Sequence, residues 1–199
     1  MQGVFEFYCL PPWPKRPKRP ERLFFCLFPD TETAIYARGF AERFVCENHL
    51  RGTLLQAPRL HISLQHVGDY GYLRTKFVYA ARQAGKAVSM HPFEVVFRFV
   101  KSFEGAPSIT GGERKRPLVL LGDGEALPAL HKSLGAAMEK NGLRAAEPFT
   151  PHMTLFYGPE PVPMQAIEPI RFVAREFALV HSERGLTRYN VIDRWSLQG

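Results

Sequence analysis

The sequence predicts an α+β fold of antiparallel sheets, and three observations lead to this class. About seven short segments have the apolar or alternating pattern of strands, and three longer segments have apolar residues at steps of three and four. The strands are hairpin-like neighbours rather than strict partners of helices, which favours antiparallel sheets over a doubly wound parallel sheet. A chain of 199 residues also has the length of one domain or of two small lobes.

The chain begins with a segment that differs in composition from the rest. Residues 11–20 (PPWPKRPKRP) contain five prolines and four cations, which exclude a helix and favour an extended, solvated conformation. We therefore expect a basic, Pro-rich arm over residues 1–20 and a single domain over residues 21–199. Two interpretations of the arm stay open: it touches RNA or membrane phosphate, or it is an inert leader.

The first half of the domain contains two predicted strands and two predicted helices. Arg22–Phe28 is almost wholly apolar, as expected of a buried strand, and Pro29 follows it. Asp30 or Thr31 can cap a helix over Thr33–Asn48. The other two elements are a strand over Arg59–His66, which alternates with period two, and a helix over Tyr72–Ala84.

The second half contains five predicted strands and one predicted helix. Phe93–Phe103 and Pro117–Leu121 are strands joined by the polar, Gly-rich turn Ile109–Arg116. Gly124–Asn141 has apolar residues along one helical face, and Asn141-Gly142 provides the stop signal. The last three strands are predicted over His152–Tyr157, Arg171–His181 and Thr187–Leu197.

A short motif occurs once in each half of the chain. His61-Ile62-Ser63-Leu64 and His152-Met153-Thr154-Leu155 are two copies of His-x-Ser/Thr-Leu, each on a predicted strand. Residues i and i+2 of a strand point to the same face, so each copy places an imidazole beside a hydroxyl. One copy alone is typical of a solvated sheet face, whereas two copies in matching positions indicate a shared site.

Two imidazoles that face one cleft suit acid–base cleavage of a phosphodiester. One histidine accepts a proton from the attacking water and the other donates a proton to the leaving oxygen. Both forms of histidine are accessible near neutral pH. The hydroxyls of Ser63 and Thr154 can donate hydrogen bonds to non-bridging phosphate oxygens. We expect no metal and no cofactor, because no His/Cys/Asp/Glu set has metal-ligand spacing.

Composition limits the other classes of function. The net charge of +7 favours phosphate-bearing partners. Three cysteines without a CxxC pair argue against a disulfide framework and a zinc cluster, and they suit a reducing cytoplasm. No apolar run reaches the ~18 residues of a membrane span. We expect a cytoplasmic monomer without a membrane partner.

Four segments in order resemble one known family: RLFFCLFPD, LHISLQHVGD, FTPHMTLFYG and the closing LVHSERGLTRYNVI. From Arg22 to about Leu197 the chain resembles the two-histidine phosphoesterase superfamily, in particular the bacterial branch of 2′-5′ RNA ligases and RNA 2′,3′-cyclic phosphodiesterases. The resemblance implies a two-lobed fold with pseudo-twofold symmetry, outer helices and a central cleft. It also implies that His61, Ser63, His152 and Thr154 line that cleft.

The implied activity is metal-independent hydrolysis of 2′,3′-cyclic phosphate ends of RNA or nucleotides to 2′-phosphates, with reversible 2′-5′ RNA ligation as an additional activity. In this scheme His61 is the acid at the expelled 3′ oxygen and His152 is the base, and swapped roles stay open. Other substrates stay open too: a cyclic nucleotide, a 2′-5′ oligonucleotide or an ADP-ribose cyclic phosphate. An RNA-binding module without turnover is the alternative from a different class.

The sequence departs from the family after the second motif, where several RNA-acting members have an arginine and this chain has Phe156-Tyr157. Alternation places Arg59 on the face of the first motif, either as a substitute phosphate-binding cation or as an ordinary solvated residue. It places Phe156 on the face of the second motif, either to stack a base or to pack in the core. His66 lies an odd step of five residues from His61 and is expected on the opposite face. Surface or capping roles are expected for His49, His91, His131 and His181.

Overall fold

The computed structural model describes residues 21–105, 112–183 and 188–198. Within these ranges it contains nine strands and three α-helices, which confirms the α+β class. The predicted arm over residues 1–20 and part of the predicted turn Ile109–Arg116 lie outside the described residues. None of the described helices is long and apolar enough to cross a membrane.

The helices and strands follow one another in the order that the sequence indicates, with small shifts at their ends. The helices are α1 (Thr31–Glu47), α2 (Thr75–Lys86) and α3 (Ala126–Lys140). The strands are β1 (Glu21–Leu27), β2 (Thr53–Leu54), β3 (Ile62–Tyr70), β4 (Phe93–Ser102), β5 (Arg116–Asp123), β6 (His152–Gly158), β7 (Gln165–Ala174), β8 (Glu176–Glu183) and β9 (Arg188–Ser196).

Two of the predicted strands were wrong in their extent. The single strand expected over Arg171–His181 is two strands, β7 and β8, which lie in different parts of the sheet with Arg175 between them. The strand expected from Arg59 begins only at Ile62, because Ala57–Arg59 forms a short 3₁₀ helix with a proline at its start. With the two-residue strand β2, these differences account for nine strands in place of seven.

All strands pair antiparallel in the order β7-β4-β5-β6-β3-β1-β8-β9, and β2 adds to β6. The central pair, β3 with β6, is joined by one residue pair only, Ile62 with Met153. This narrow joint divides the eight strands of that order into two sets of four, and β2 lies on the side of β6. The order β1-α1-β3 in one half corresponds to β5-α3-β6 in the other, as the predicted pseudo-twofold symmetry requires.

The helices cover the sheet and bury the apolar faces of its strands. Helix α1 is capped by Asp30, whose Oδ1 accepts a hydrogen bond from the Thr33 backbone N–H at 2.8 Å. It packs against β6 and β7, while α3 packs against β3 and α2. Phe25, Phe97 and Phe177 are fully buried beneath them. Each motif strand is therefore held from below by a core made of both halves.

Candidate active site

The main cleft of the molecule has a volume of about 940 Å³ and lies where β3 and β6 meet. Five of the six residues selected from the sequence line it: His61, Ser63, His152, Thr154 and Arg59. The two motifs reach the cleft from neighbouring strands, because β3 and β6 pair at the residues that directly follow the histidines, Ile62 and Met153.

The two histidines are held in the same way. Nδ1 of His61 lies 2.8 Å from the carbonyl oxygen of Arg59, and Nδ1 of His152 lies 2.7 Å from the carbonyl oxygen of Thr150. Each ring is thus hydrogen-bonded to the backbone two residues upstream. A carbonyl oxygen can only accept, so Nδ1 carries the proton and donates it. In the neutral ring, Nε2 then has a free lone pair for the substrate.

The surroundings of the two rings differ. His61 is packed among aromatic rings, with centroid distances of 5.3 Å to Phe24, 6.3 Å to Phe28 and 5.4 Å to Tyr189. This burial lowers the pKa of His61 to about 4, and the charges of Arg59 and His152 act in the same direction. His61 is therefore neutral at pH 7 and suited to accept a proton.

Each motif strand contains a β-bulge at the leucine of its motif. On β3, Ser63 pairs with Cys26 and Gln65 pairs with Phe25, so that Leu64 is an extra residue. On β6, Thr154 and Phe156 pair with consecutive residues of β5 in the same manner, and Leu155 is the extra residue. An extra residue reverses the alternation of the strand beyond it.

The bulges correct the faces predicted for two residues, and for Phe156 they select core packing from the two interpretations that were open. Phe156 does not face the cleft: it is 3% exposed and belongs to the core, so it cannot stack a base. Tyr157, which is 41% exposed, takes its place in the cleft. On the other strand Gln65 is buried and His66 lines the cleft, although an odd spacing from His61 predicted the opposite face.

The bulge on β3 is held by a buried polar cluster that the sequence did not indicate. Nδ1 of His131 lies 2.7 Å from the carbonyl oxygen of Leu64, and Oε1 of Gln65 accepts the backbone N–H of Ala146 at 2.8 Å. The His131 ring also stacks on Phe149 at 4.3 Å. The surface or capping role expected for His131 was therefore wrong, because this ring is buried and bonds to the motif strand.

Cations are unevenly distributed in the cleft. The guanidinium of Arg59 lies 4.7 Å from the centre of the Tyr189 ring, in cation–π contact, and its Nε is buried without a hydrogen-bond partner. Arg22 forms a two-point ion pair with Asp69, with distances of 2.8 and 3.0 Å, which offsets its charge. Arg59 is thus the cation available to an anionic ligand near His61, although it reaches the cleft from the 3₁₀ helix and not by strand alternation.

Tyr157 is a cleft residue for which alternation gave no signal. It lines the cleft together with Thr154 of the second motif. Burial of the phenol raises the pKa of Tyr157. The neutral phenol is therefore a hydrogen-bond donor over a wide pH range.

A metal-binding group is not found in the part of the chain that the structure describes: no three His, Cys, Asp or Glu side chains are grouped to hold an ion.

Cys26 is fully buried in β1, as expected of a residue in an almost wholly apolar strand. Burial raises the pKa of its thiol, which makes a nucleophilic role for this cysteine unsuitable.

Known proteins share this fold and part of this sequence. The crystal structure of Escherichia coli LigT in apo form has a TM-score of 0.67 and 21% identity, covering 92% of this chain and 100% of that chain. TT0787 of Thermus thermophilus has a TM-score of 0.70 and 22% identity, covering 89% and 98%. E. coli LigT complexed with 3′-AMP has a TM-score of 0.67 and 23% identity, covering 90% and 99%.

At these identities the structures establish the fold, and a comparison with curated proteins found no match. The family follows from the sequence itself. The sequence model of the 2′-5′ RNA ligase superfamily matches residues 31–186, a range that includes both motifs and most of the chain. The chain therefore belongs to the 2′-5′ RNA ligase superfamily of two-histidine phosphoesterases.

Proposed function

We propose that the protein is a metal-independent phosphodiesterase that opens the 2′,3′-cyclic phosphate at the end of an RNA strand or nucleotide and leaves a 2′-phosphate. Membership of the superfamily supports a phosphodiesterase-type activity. The proposal of paired acid–base catalysis depends on one observation: the two imidazoles are held by the same hydrogen bond to the backbone. Both use Nδ1 to bond the backbone and leave Nε2 for the cleft.

The burial of His61 among aromatic rings favours His61 as the base and leaves His152 as the acid, the reverse of the roles expected from the sequence. His61 is neutral at pH 7 because of its apolar surroundings, so its Nε2 can take a proton from water. The water oxygen attacks phosphorus, the bond from phosphorus to the 3′ oxygen breaks, and protonated His152 supplies the proton to that oxygen. Solvent then restores both rings to their starting states.

The remaining cleft residues bind the phosphate. Ser63 and Thr154 follow their histidines by two residues and line the same cleft, where their hydroxyls can donate to the two non-bridging oxygens. Arg59 supplies a positive charge beside His61 and substitutes for the arginine that several RNA-acting members have after the second motif. The negative charge of the bound phosphate would raise the basicity of His61, which prepares the ring for proton transfer.

The product assignment depends on the direction of attack. Water and the leaving oxygen must lie in line through phosphorus, so the base and the acid must flank the phosphate from opposite sides. Two strands that each present one histidine are suited to that arrangement. E. coli LigT, which has the same fold, was crystallised with 3′-AMP, and this supports a nucleotide end as the occupant of the cleft.

The test is hydrolysis of a short RNA with a 2′,3′-cyclic end, with phosphorus NMR of the product. We expect a 2′-phosphate, and we expect His61→Ala and His152→Ala each to lower turnover about 10²–10⁴-fold, the contribution of one acid or base. His91→Ala, which removes an exposed imidazole outside the cleft, is the matched control.

Three results would contradict parts of the proposal. A 3′-phosphate product would reverse the orientation of the substrate. Wild-type turnover in either cleft variant, with an unchanged melting temperature, would refute the two-histidine mechanism. The non-catalytic alternative would be indicated if the protein bound RNA tightly but hydrolysed none of the candidate substrates: RNA with a cyclic end, cyclic nucleotides, 2′-5′ oligonucleotides and ADP-ribose cyclic phosphate.

A further inference from the structure

A second cavity of about 440 Å³ adjoins the main cleft. Thr53 and Tyr157 line both cavities, so the two are continuous along the β2–β6 edge. Its size falls within the range of about 300–1,000 Å³ that is typical of small-molecule sites. The mechanism proposed above uses no residue that lines this second cavity alone.

The lining of the second cavity is rich in cations. The lining contains three cations, Arg51, Arg114 and Lys115, and one carboxylate, that of Glu113. Arg114 is in an ion pair with Glu104 at 2.9 Å. Arg51 is in an ion pair with Glu160 at 3.0 Å, and its side chain is 76% exposed, so that solvent weakens the pair. Lys115 has no ion-pair partner among the described residues. An anion therefore has at least one uncompensated partner here.

One wall of the second cavity is bare backbone. Gly52 and Gly158 lie side by side where β2 meets β6, and both line the cavity. A Cβ added at Gly52 would collide with the carbonyl oxygen of Tyr157, and one added at Gly158 would collide with the Phe156 ring. The close approach of the two strands thus requires glycine at both positions, and the cavity is lined by backbone there.

Tyr157 lines both cavities, and 41% of its surface is exposed. Single-stranded nucleic acid is typically bound by cations that follow its backbone and by aromatic rings on which its bases stack. The second cavity offers both elements directly beside the site of phosphate chemistry. A nucleotide in the main cleft would continue into it through its 5′ neighbour.

We propose that the second cavity is a subsite for the nucleotide on the 5′ side of the cyclic end, with Arg51 and Lys115 at its backbone phosphate and the Tyr157 ring beneath a base. This inference rests on the proposed function and deepens it. The substrate is then the end of a single-stranded RNA segment, and a cyclic mononucleotide fills only half of the site.

The test compares kcat/KM for a tetranucleotide with a 2′,3′-cyclic end and for the corresponding 2′,3′-cyclic mononucleotide. We expect the wild-type protein to prefer the tetranucleotide by about tenfold or more, the value of one charge-assisted hydrogen bond. The double variant Arg51→Ala/Lys115→Ala should lower this preference about tenfold. Lys132→Ala/Lys140→Ala on α3 removes the same charge outside both cavities and should keep the preference.

Tyr157 provides a second pair of variants. Tyr157→Phe keeps the ring and should keep the preference for the tetranucleotide, whereas Tyr157→Leu should lower it about fivefold or more, in line with the loss of one stacked base. An equal preference in the wild type and in the Arg51/Lys115 variant would overturn the subsite. The subsite would also be overturned if the wild type had equal kcat/KM values for the tetranucleotide and the mononucleotide.

Binding separates this inference from the proposed activity. Fluorescence anisotropy of a labelled tetranucleotide with a 3′-phosphate end measures the affinity without turnover. The Arg51/Lys115 variant should bind more weakly, and its dependence of log Kd on log salt should fall by about 0.7 per lost phosphate contact. If the wild type binds the tetranucleotide more tightly than the variant but hydrolyses no cyclic phosphate, only the proposed activity is refuted and the subsite stands. Equal affinity and equal salt slopes would refute the subsite.

Discussion

The burial of His61 has a consequence for stability that can be measured without any substrate. Its pKa is about 4 in the folded protein and 6.5 in an unfolded chain. Between these values the unfolded chain binds a proton that the folded protein does not, so stability falls as the pH falls through this window. The imidazole contributes about 0.2 kcal/mol of pH-dependent destabilisation at pH 7 and about 2 kcal/mol at pH 5.

Urea unfolding of the wild type and of His61→Gln at pH 7, 6 and 5 measures this contribution. Glutamine cannot be protonated in this range. Between pH 7 and pH 5 the free energy of unfolding should therefore fall by about 2 kcal/mol less in the variant than in the wild type. Its absolute stability at pH 7 does not enter the comparison. His91→Gln removes an exposed imidazole and controls for the loss of one histidine as such.

Equal losses of the free energy of unfolding between pH 7 and pH 5 in the wild type and in His61→Gln would contradict this prediction. That result would mean that the cleft solvates the ring of His61 despite Phe24, Phe28 and Tyr189 around it. The assignment of His61 as the neutral base would then lose its physical basis, although the two-histidine site would stand.

Three further predictions concern the site and its surroundings. The acid limb of the kcat/KM profile should have its midpoint near pH 4, the pKa of His61 in the free enzyme, and a midpoint near 6.5 would assign that limb to another group. Turnover should survive a strong chelator, and a loss that a divalent ion restores would show a metal requirement. Gly52→Ala should destabilise the protein by about 1–3 kcal/mol in urea unfolding, because its Cβ collides with the Tyr157 carbonyl oxygen. Gly39→Ala, whose Cβ makes only ordinary contacts, is the control, and equal stability of both variants would contradict the collision.

The parts of the site that the sequence predicts are those with a local pattern. The motifs were found because each histidine is followed two residues later by a hydroxyl residue, at the start of a strand that crosses the core. The cap at Asp30 was found because the capping group and the helix are adjacent in the chain. In each case the determining interaction spans only a few residues.

The parts that the sequence missed depend on contacts between distant segments. A bulge at Leu155 leaves no mark in the composition of β6, because it is defined by the pairing with β5, so Phe156 and Tyr157 exchanged the faces that alternation gave them. His131 looked isolated because its partners, Leu64 and Gln65, are more than sixty residues away. The split between β7 and β8 was hidden by an apolar pattern that continues through Arg175.

The single residue pair between β3 and β6 determines how the molecule responds to movement of its halves. When two bodies rock about a joint, an atom is displaced in proportion to its distance from the axis. Ile62 and Met153 form that joint, and His61 and His152 are their chain neighbours. Rocking of the halves about this joint would therefore change the separation of the two imidazoles less than the separation of residues farther from it.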